Sequence, residues 1–491
     1  MLVLLMAPMQ LTKRTVFRYI LCMIITLRDY QAAGVQEIRR AYVSGSRSVL
    51  YALPTGGGKT AVFCWISEQV AQKKRRVNIL VHRQELLLQT SEHLTKLGVS
   101  HGIIAPGHTM TGELVQVSSV HTLARRIDKV PEPDLLILDE AHHAVAGTWI
   151  KILTKWQKTR CLGVTATPCR LDGKGLGTIA GGCFDAMVEG PTIQTLIAAG
   201  HLAPPILYAP PTALDLTGIT MSGGDFLQRE LSGRVDKKVI TGSAVEHYQK
   251  ICPGVPAICF CASIKHAEHV TEEFNAQGIA SASLTGEMND SVRKYRIRAL
   301  ASGEIKVLTS CEIISEGTDV PVVGAAILLR PTCSLGLYLQ QVGRSLRMYP
   351  GKTAAIILDH VGNVHRHGLP DDIRSWSLNG SIKKPKKKAD EAGTSKIRQC
   401  EKCYAVFSIG MTHCPQCGSA VAFKAREYKQ VEGKLEEVIR KLDNKITYRR
   451  EVSTAKTLDD LLEYARQKGY KPGWAYHIHN SRASRRQAVA A

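Results

Sequence analysis

Short, almost continuously apolar runs alternate with amphipathic stretches along most of the chain. Between Leu27 and about Gly200 the runs are Val49–Ala52, Val77–Val81, Leu114–Val117, Leu135–Leu138 and Cys161–Val164. Runs apolar at every position, not at alternate ones, predict strands buried on both faces, hence a parallel sheet with helices in the intervals. Pro204-Pro205 and Pro210-Pro211 break the rhythm and mark a connector. A second alternation starts near Val239, with runs at Ala257–Phe260, Ala280–Leu284, Lys306–Thr309, Ala325–Leu329 and Ala354–Leu358. The expected fold class is α/β, with two tandem parallel-sheet domains. The polar run from Lys383 to Lys388 reads as a solvated linker. A cysteine-rich knot and a mixed charged tail follow it.

Composition adds a partner class. The net charge is +21, and the residues from Trp376 onward hold 24 Lys and Arg against 12 Asp and Glu. A basic surface attracts polyphosphate through counterion release, so nucleic acid is the expected partner. At 491 residues the chain exceeds one core. Ten of its fourteen cysteines are scattered without ligand spacing, which reads as reduced thiols and a cytoplasmic compartment. No apolar run approaches the ~20 residues of a membrane span, so no membrane partner is expected. At the N-terminus, charge follows the apolar Met1–Met6 run instead of preceding it. That order argues against a signal peptide and for an extension, with the folded part starting near Met23.

The chemistry begins at Leu53-Pro54-Thr55-Gly56-Gly57-Gly58-Lys59-Thr60, between a strand-like run and a helical pattern. Three glycines let backbone N–H groups curl around phosphate oxygens, and the following helix N-terminus adds its positive dipole end. Lys59 is expected to reach the β- and γ-phosphates and the Thr60 hydroxyl to ligate Mg²⁺. Leu53 stands where the general pattern has glycine. Eighty residues beyond Lys59, Leu135–Leu138 runs into Asp139-Glu140-Ala141-His142. A buried strand ending in two acids places them at the carboxyl edge of the sheet, where such folds bind ligands. Asp139 is expected to hold Mg²⁺ and Glu140 to orient the attacking water. Gln340-Gln341-Val342-Gly343-Arg344-Ser345-Leu346-Arg347 puts two arginines three apart on one helical face, a spacing that suits guanidiniums reaching γ-phosphate oxygens.

Taken in order, these segments resemble the superfamily 2 DEAD/DEAH-box helicases and translocases, over about residues 27 to 365. The resemblance implies two RecA-like domains with ATP between them. It makes Leu27–Gln31 an adenine-reading element, with Arg28 and Gln31 on the nucleotide. Leu53 to Thr60 becomes the phosphate loop, a family in which the first position need not be glycine, so Pro54, Thr55, Gly56, Gly57, Gly58, Lys59 and Thr60 would all line ATP. It assigns backbone contacts with a nucleic-acid strand to His82 and Arg83, to Ser119 and Thr122, to Ser263, and to Thr309. His142, Thr165 and Thr167 of the DEAH and Thr165–Pro168 segments would couple hydrolysis to strand contacts. Gly317 and Asp319 would contact phosphate and ribose, and Gln340, Arg344 and Arg347 would complete the catalytic set. Leu329–Thr332, Gln341–Thr353 and Leu358–Asn363 are similar to RadD-type bacterial and phage-borne helicases, which implies DNA over RNA and single-strand-binding or repair proteins as partners. Ala141 stands where RadD-type proteins have cysteine, and the tail here is shorter.

Cys400-Glu401-Lys402-Cys403 and Cys414-Pro415-Gln416-Cys417 have the spacing of two metal knuckles around Zn²⁺. So short a segment has no core of its own, and the metal would supply its folding energy. His413 reads as a surface neighbour. Further on, Thr457–Ala465 reads as a capped helix, followed by aromatics among basic residues at Tyr470, Trp474 and Tyr476. Those rings suit either base stacking or packing on the helix. The expected division is an extension over 1–26, a first domain over 27–200, a connector over 201–238, a second domain over 239–375, a basic linker over 376–396, a zinc ribbon over 397–420 and a basic region over 421–491. The expected function is an ATP-dependent helicase or translocase. The rivals are a duplex remodeller that separates no strands and a zinc-dependent nucleic-acid-binding adaptor with a vestigial motor.

Overall fold

A computed structural model describes residues 26–170, 175–211, 214–222, 224–236, 238–311, 320, 322–380, 397–421, 452, 454–455 and 457–480. Residues 1–421 form one compact unit and 422–491 another. Gly317, Asp319, the N-terminal extension before residue 26 and the lysine run lie outside the described residues.

The first sheet is built from β1 (Ser48–Ala52), β2 (Val77–Val81), β3 (His101–Ile104), β4 (Val115–Ser119), β5 (Leu135–Asp139), β6 (Arg160–Thr165) and β7 (Ala186–Glu189). Its order is β3-β4-β2-β5-β6-β1-β7, parallel throughout. β1, β2 and β5 are buried at every position, as uninterrupted apolar runs between two helical layers must be. One face packs Val49, Val62, Ile79 and Leu94; the other packs Leu50, Leu80, Leu123 and Phe184. The edges β3 and β7 are short and only half buried, so they lack the apolar run that marks the central strands.

The second sheet contains β8 (Pro205–Tyr208), β9 (Ala257–Phe260), β10 (Ser281–Leu284), β11 (Val307–Ser310), β12 (Ala325–Leu328), β13 (Ala355–Asp359), β14 (Ile397–Gln399) and β15 (Ala405–Ser408). Its order is β10-β11-β9-β12-β13-β8-β15-β14. The six strands from β10 to β8 are parallel. β15 then joins β8 antiparallel, and β14 pairs with β15. The segment expected as a plain connector thus supplies a strand, and the cysteine-rich segment extends the same sheet.

The helices used below are α1 (Asp29–Val43), α2 (Lys59–Ala71), α3 (Gln84–Lys96), α4 (Ile264–Ala276), α5 (Asp290–Ser302) and α6 (Leu335–Ser345). α6 is buried continuously from Tyr338 to Ser345. A helix covered on every side belongs inside a molecule, and α6 lies where the two sheets meet.

In the second unit, α7 (Leu458–Lys468) opens with a capping box between Thr457 and Asp460. The Trp474 ring lies 5.6 Å from Tyr464 and 5.2 Å from Tyr470, and Leu461, Ala465 and Ala475 are buried together. Of the two uses open to these aromatics, Trp474 and one side of Tyr470 pack against Tyr464 of the helix, while Tyr470 and Tyr476 both remain exposed.

Candidate nucleotide site and metal centre

Four strand ends of the first sheet converge on one edge. β1 leads into the glycine loop, β2 into His82, β5 ends at Asp139 and β6 at Thr165. The loop turns through left-handed backbone at Gly56 and Gly58, with φ of 84° and 85°, where a side chain would be strained. Gly58 is the N-cap of α2, so Lys59 and Thr60 open that helix. α1 braces the loop: the Tyr30 hydroxyl and Gln31 Nε2 donate to the Gly57 carbonyl at 2.9 and 3.0 Å. Gln31 Oε1 accepts from the Arg28 amide at 3.0 Å. The Gln31 amide therefore spans the start of α1 and the phosphate loop.

Asp139 is buried and accepts from the Glu140 amide at 3.0 Å. Burial, then the Glu140 charge, pushes its carboxyl up to about 7, with Lys59 opposing. Glu140 sits in left-handed backbone at φ 50°, a conformation that costs a non-glycine residue roughly 1 kcal/mol. Its Oε2 is buried, accepts no hydrogen bond among the described residues and lies 3.4 Å from His142 Nδ1. The same nitrogen lies 3.2 Å from Thr165 Oγ1, and that hydroxyl donates to the Thr167 carbonyl and accepts from its amide. His142, Thr165 and Thr167 are thereby brought into one chain with Glu140.

The opposite wall comes from the second sheet. A cleft of about 300 Å³ is lined by Thr55, Gly56, Gly58, Lys59, Thr60, Asp139 and Glu140 on one side and Gln340, Arg344 and Arg347 on the other, with Arg28 at its rim. Pro54 lines a smaller adjoining hollow, and Gly57 is buried beneath the loop. Leu202 and Arg347 form an antiparallel bridge, and the Ala203 amide donates to the Leu346 carbonyl at 2.7 Å. A methyl group at Gly56 would meet Leu202 Cδ2 at 2.7 Å. The donor set fits a magnesium nucleotide: left-handed glycines at a helix N-terminus, a lysine, a threonine hydroxyl, and a buried acid costly to leave without a cation.

Residues expected on a nucleic-acid strand divide into two groups. His82, Arg83, Ser119 and Ser263 are partly exposed, with Ser263 capping α4 by accepting from the His266 amide. Thr122 is buried, and Thr309 fully so. The Thr309 hydroxyl donates to the Ala267 carbonyl at 2.8 Å and meets Thr271 Oγ1 at 2.7 Å. That hydroxyl is committed to holding α4 on β11, which corrects its expected place on a strand. Residues not singled out from the sequence also enter. The His143 ring lies 4.6 Å from His82 and 4.2 Å from His142, joining the β2 and β5 loops. His201 lines the cleft and packs 5.3 Å from Tyr30. The His142-His143 doublet was the available signal for the first; the second depends on a tertiary approach that no local pattern encodes.

The four sulfurs of Cys400, Cys403, Cys414 and Cys417 lie within 4.8 Å of one another. Cys400–Cys417 and Cys403–Cys414 are each 3.6 Å apart, close to the about 3.8 Å edge of a tetrahedron with ~2.3 Å metal–sulfur bonds. The cluster is able to bind a metal ion. His413 is exposed and lies outside it.

Two family models match in tandem: "Type III restriction enzyme, res subunit" over residues 24–170, and "Helicase conserved C-terminal domain" over residues 243–349. The chain is 32% identical over 386 residues to a 51.5 kDa protein of Lactococcus phage (isolate 7-9), covering 78% of this chain and 80% of that protein. The chain belongs to the superfamily 2 helicases. This superfamily 2 helicase is also 30% identical over 362 residues to IRC3 of Saccharomyces cerevisiae, a protein provisionally named an ATP-dependent helicase. That match covers 68% of this chain and 51% of the yeast protein. It is 27% identical over 367 residues to the DNA 3'-5' translocase XPB2 of Sulfurisphaera tokodaii, covering 66% of this chain and 79% of that one. A superfamily 2 helicase carries an ATP-hydrolysing motor that acts on nucleic acid, and the cleft between the sheets is where this chain assembles the groups for it. Among the described residues, no helix is long and apolar enough to cross a membrane.

Proposed function

We propose that the protein is an ATP-driven DNA translocase or helicase of the RadD-like, phage-borne type. The observation that carries the reading is the shared cleft, where Lys59, Asp139 and Glu140 face Gln340, Arg344 and Arg347. Lys59 binds the β- and γ-phosphates and Arg28 reaches the base, while Gln31, expected on the base, is buried and holds the phosphate loop from the Gly57 carbonyl instead. Glu140 positions water in line with the γ-phosphate, and its carboxylate, whose Oε2 accepts no hydrogen bond among the described residues, accepts the proton. Arg344 and Arg347 stabilise the charge that develops on the transferred group. Thr60 and Asp139 would hold Mg²⁺, which would supply neutralising charge. Opening and closing of the cleft moves a strand past His82, Arg83, Ser119 and Ser263, and the His142–Thr165–Thr167 chain reports the state of Glu140 to that surface.

Support for DNA over RNA comes from the DNA translocase among the relatives and from the RadD-like phrases around Arg330 and Asn363. Zn²⁺ at the four cysteines is the metal that thiolate ligands at this spacing favour. The single test is steady-state ATP hydrolysis by the full chain with single-stranded DNA, duplex DNA or RNA. Stimulation by DNA is the expected result. Stimulation by RNA alone reverses the substrate, and turnover stimulated by none of them favours the adaptor.

A further inference from the structure

Lys352 belongs to none of the groups used so far. Its Nζ donates to the Val323 carbonyl at 2.7 Å, to the Arg347 carbonyl at 2.7 Å and to the Ser345 carbonyl. All three donors of an ammonium are thus used on three converging backbone oxygens. Each acceptor has a distinct place. Ser345 ends α6, where carbonyls lack intrahelical donors and carry the negative end of the helix dipole. Arg347 lines the cleft and forms the backbone bridge to Leu202. Val323 precedes β12 and is fully buried. The turn through Gly351, at φ 82°, and a bond from the Lys352 amide to the Tyr349 carbonyl at 3.0 Å fold the chain back so that the lysine reaches the helix it has just left. Burial, then the Arg347 charge, pushes its ammonium down to about 8, a measure of how fully the group is enclosed.

A buried cation that satisfies three carbonyls fixes their separation. Loss of the ammonium would take one donor from each of three backbone carbonyls in a half-buried setting, where such a loss is costly. The backbone at Arg347 would relax, and its guanidinium with it. An error of about 1 Å in a transition-state contact costs on the order of 100-fold in rate. We propose that Lys352 is a positioning residue for ATP hydrolysis, which sets the backbone from Ser345 to Arg347 so that Arg347 enters the cleft. The proposal rests on the assignment of Arg347 to the transferred phosphate.

The experiment compares Lys352→Met, Lys352→Arg, Arg347→Ala and the double variant Lys352→Met/Arg347→Ala in the full chain. It reads kcat and KM for ATP, the Kd of a fluorescent ATP analogue, and the melting temperature. Lys352→Met should lower kcat about tenfold or more, with nucleotide Kd nearly unchanged. Lys352→Arg should recover part of kcat, because a planar fork meets two of the carbonyls. The double variant should be no slower than Arg347→Ala, since both changes remove one interaction. Additive losses in the double variant, or an unchanged kcat in Lys352→Met, overturn the proposal. A Lys352→Met loss explained by melting, with no rescue by arginine, also overturns it. If Arg347→Ala alone leaves kcat unchanged, the failure lies in the ATP-site assignment, and the proposal falls with it.

Discussion

Gly343 of α6 rests directly on Thr55 of the phosphate loop: a methyl group at Gly343 would lie 2.6 Å from Thr55 Cβ and 2.8 Å from its Cγ2. Two domains far apart in the chain meet here with no room for a side chain. One helix position earlier than Arg344, this contact sets how closely the arginines approach the cleft.

Gly343→Ala separates two effects of opposite sign. Within a helix, alanine is favoured over glycine by about 1 kcal/mol, so the second domain should melt no lower. The added methyl collides with Thr55 in the arrangement where α6 meets the phosphate loop. Turnover should therefore fall roughly tenfold or more with nucleotide binding to the loop retained. Equal kcat in the variant and the parent would show that the Thr55 contact has no bearing on turnover.

Glu140→Gln keeps the shape and removes the charge. Turnover should drop by roughly 10²- to 10⁴-fold, the range for loss of a general base. Because Glu140 helps push Asp139 up to about 7, removing its charge should ionise Asp139 more readily, and magnesium-dependent ATP affinity should hold or rise. Isothermal titration with ATP, alongside a turnover assay, checks both halves. Normal hydrolysis in this variant would remove Glu140 from its role.

His360 should contribute acid sensitivity to the fold. Its ring stacks 5.2 Å from His247, and its Nε2 is buried with no hydrogen bond among the described residues. Burial, then the His247 charge, pushes it down to about 3. The unfolded chain therefore binds a proton that the folded chain refuses, at any pH between about 6.5 and about 3. Stability present above pH 6.5 is lost as pH falls through that window, by up to ~1.4 kcal/mol per pH unit for this one group. Melting curves from pH 8 to pH 5 should fall more steeply for the parent than for His360→Phe. Parallel curves would refute the assignment.

The central strands and the nucleotide loops were legible because their signals are local. Val77–Val81 or Leu135–Asp139 can satisfy an apolar run only inside a two-faced sheet, and the three-glycine loop has to follow such a strand. Two strands were not legible. His101–Ile104, at a sheet edge, buries only alternate residues, and Pro205–Tyr208, inside the second sheet between β13 and β15, starts at the second proline of a pair that reads as a break; each is a strand only because a neighbour offers it hydrogen bonds. Thr309 shows the same limit from the other side: a hydroxyl at a strand end has the same appearance in sequence whether it faces a ligand or a helix carbonyl. Leu202 and His201 reach the site through backbone pairing and packing, which leave no residue pattern behind; the Pro350-Gly351 turn before Lys352 is visible in sequence, but the three carbonyls its ammonium meets are not.

The antiparallel pairing of β15 with β8 gives the cysteine cluster a second consequence. Without β15, the β8 edge would present unpaired amides and carbonyls beside the apolar Ile206 and Leu207, a template for joining other chains. Tyr208, packed against the cluster of Cys400, Ala405, Phe407 and Cys414, would lose its cover at the same time. Removal of the metal by a strong chelator, or Cys414→Ser, should therefore produce self-association, detectable by light scattering before any loss of the first domain's nucleotide binding. A metal-free protein that stays monodisperse would contradict this. The four cysteines then serve as a hem on the sheet, and the motor's second sheet ends where their cluster closes it.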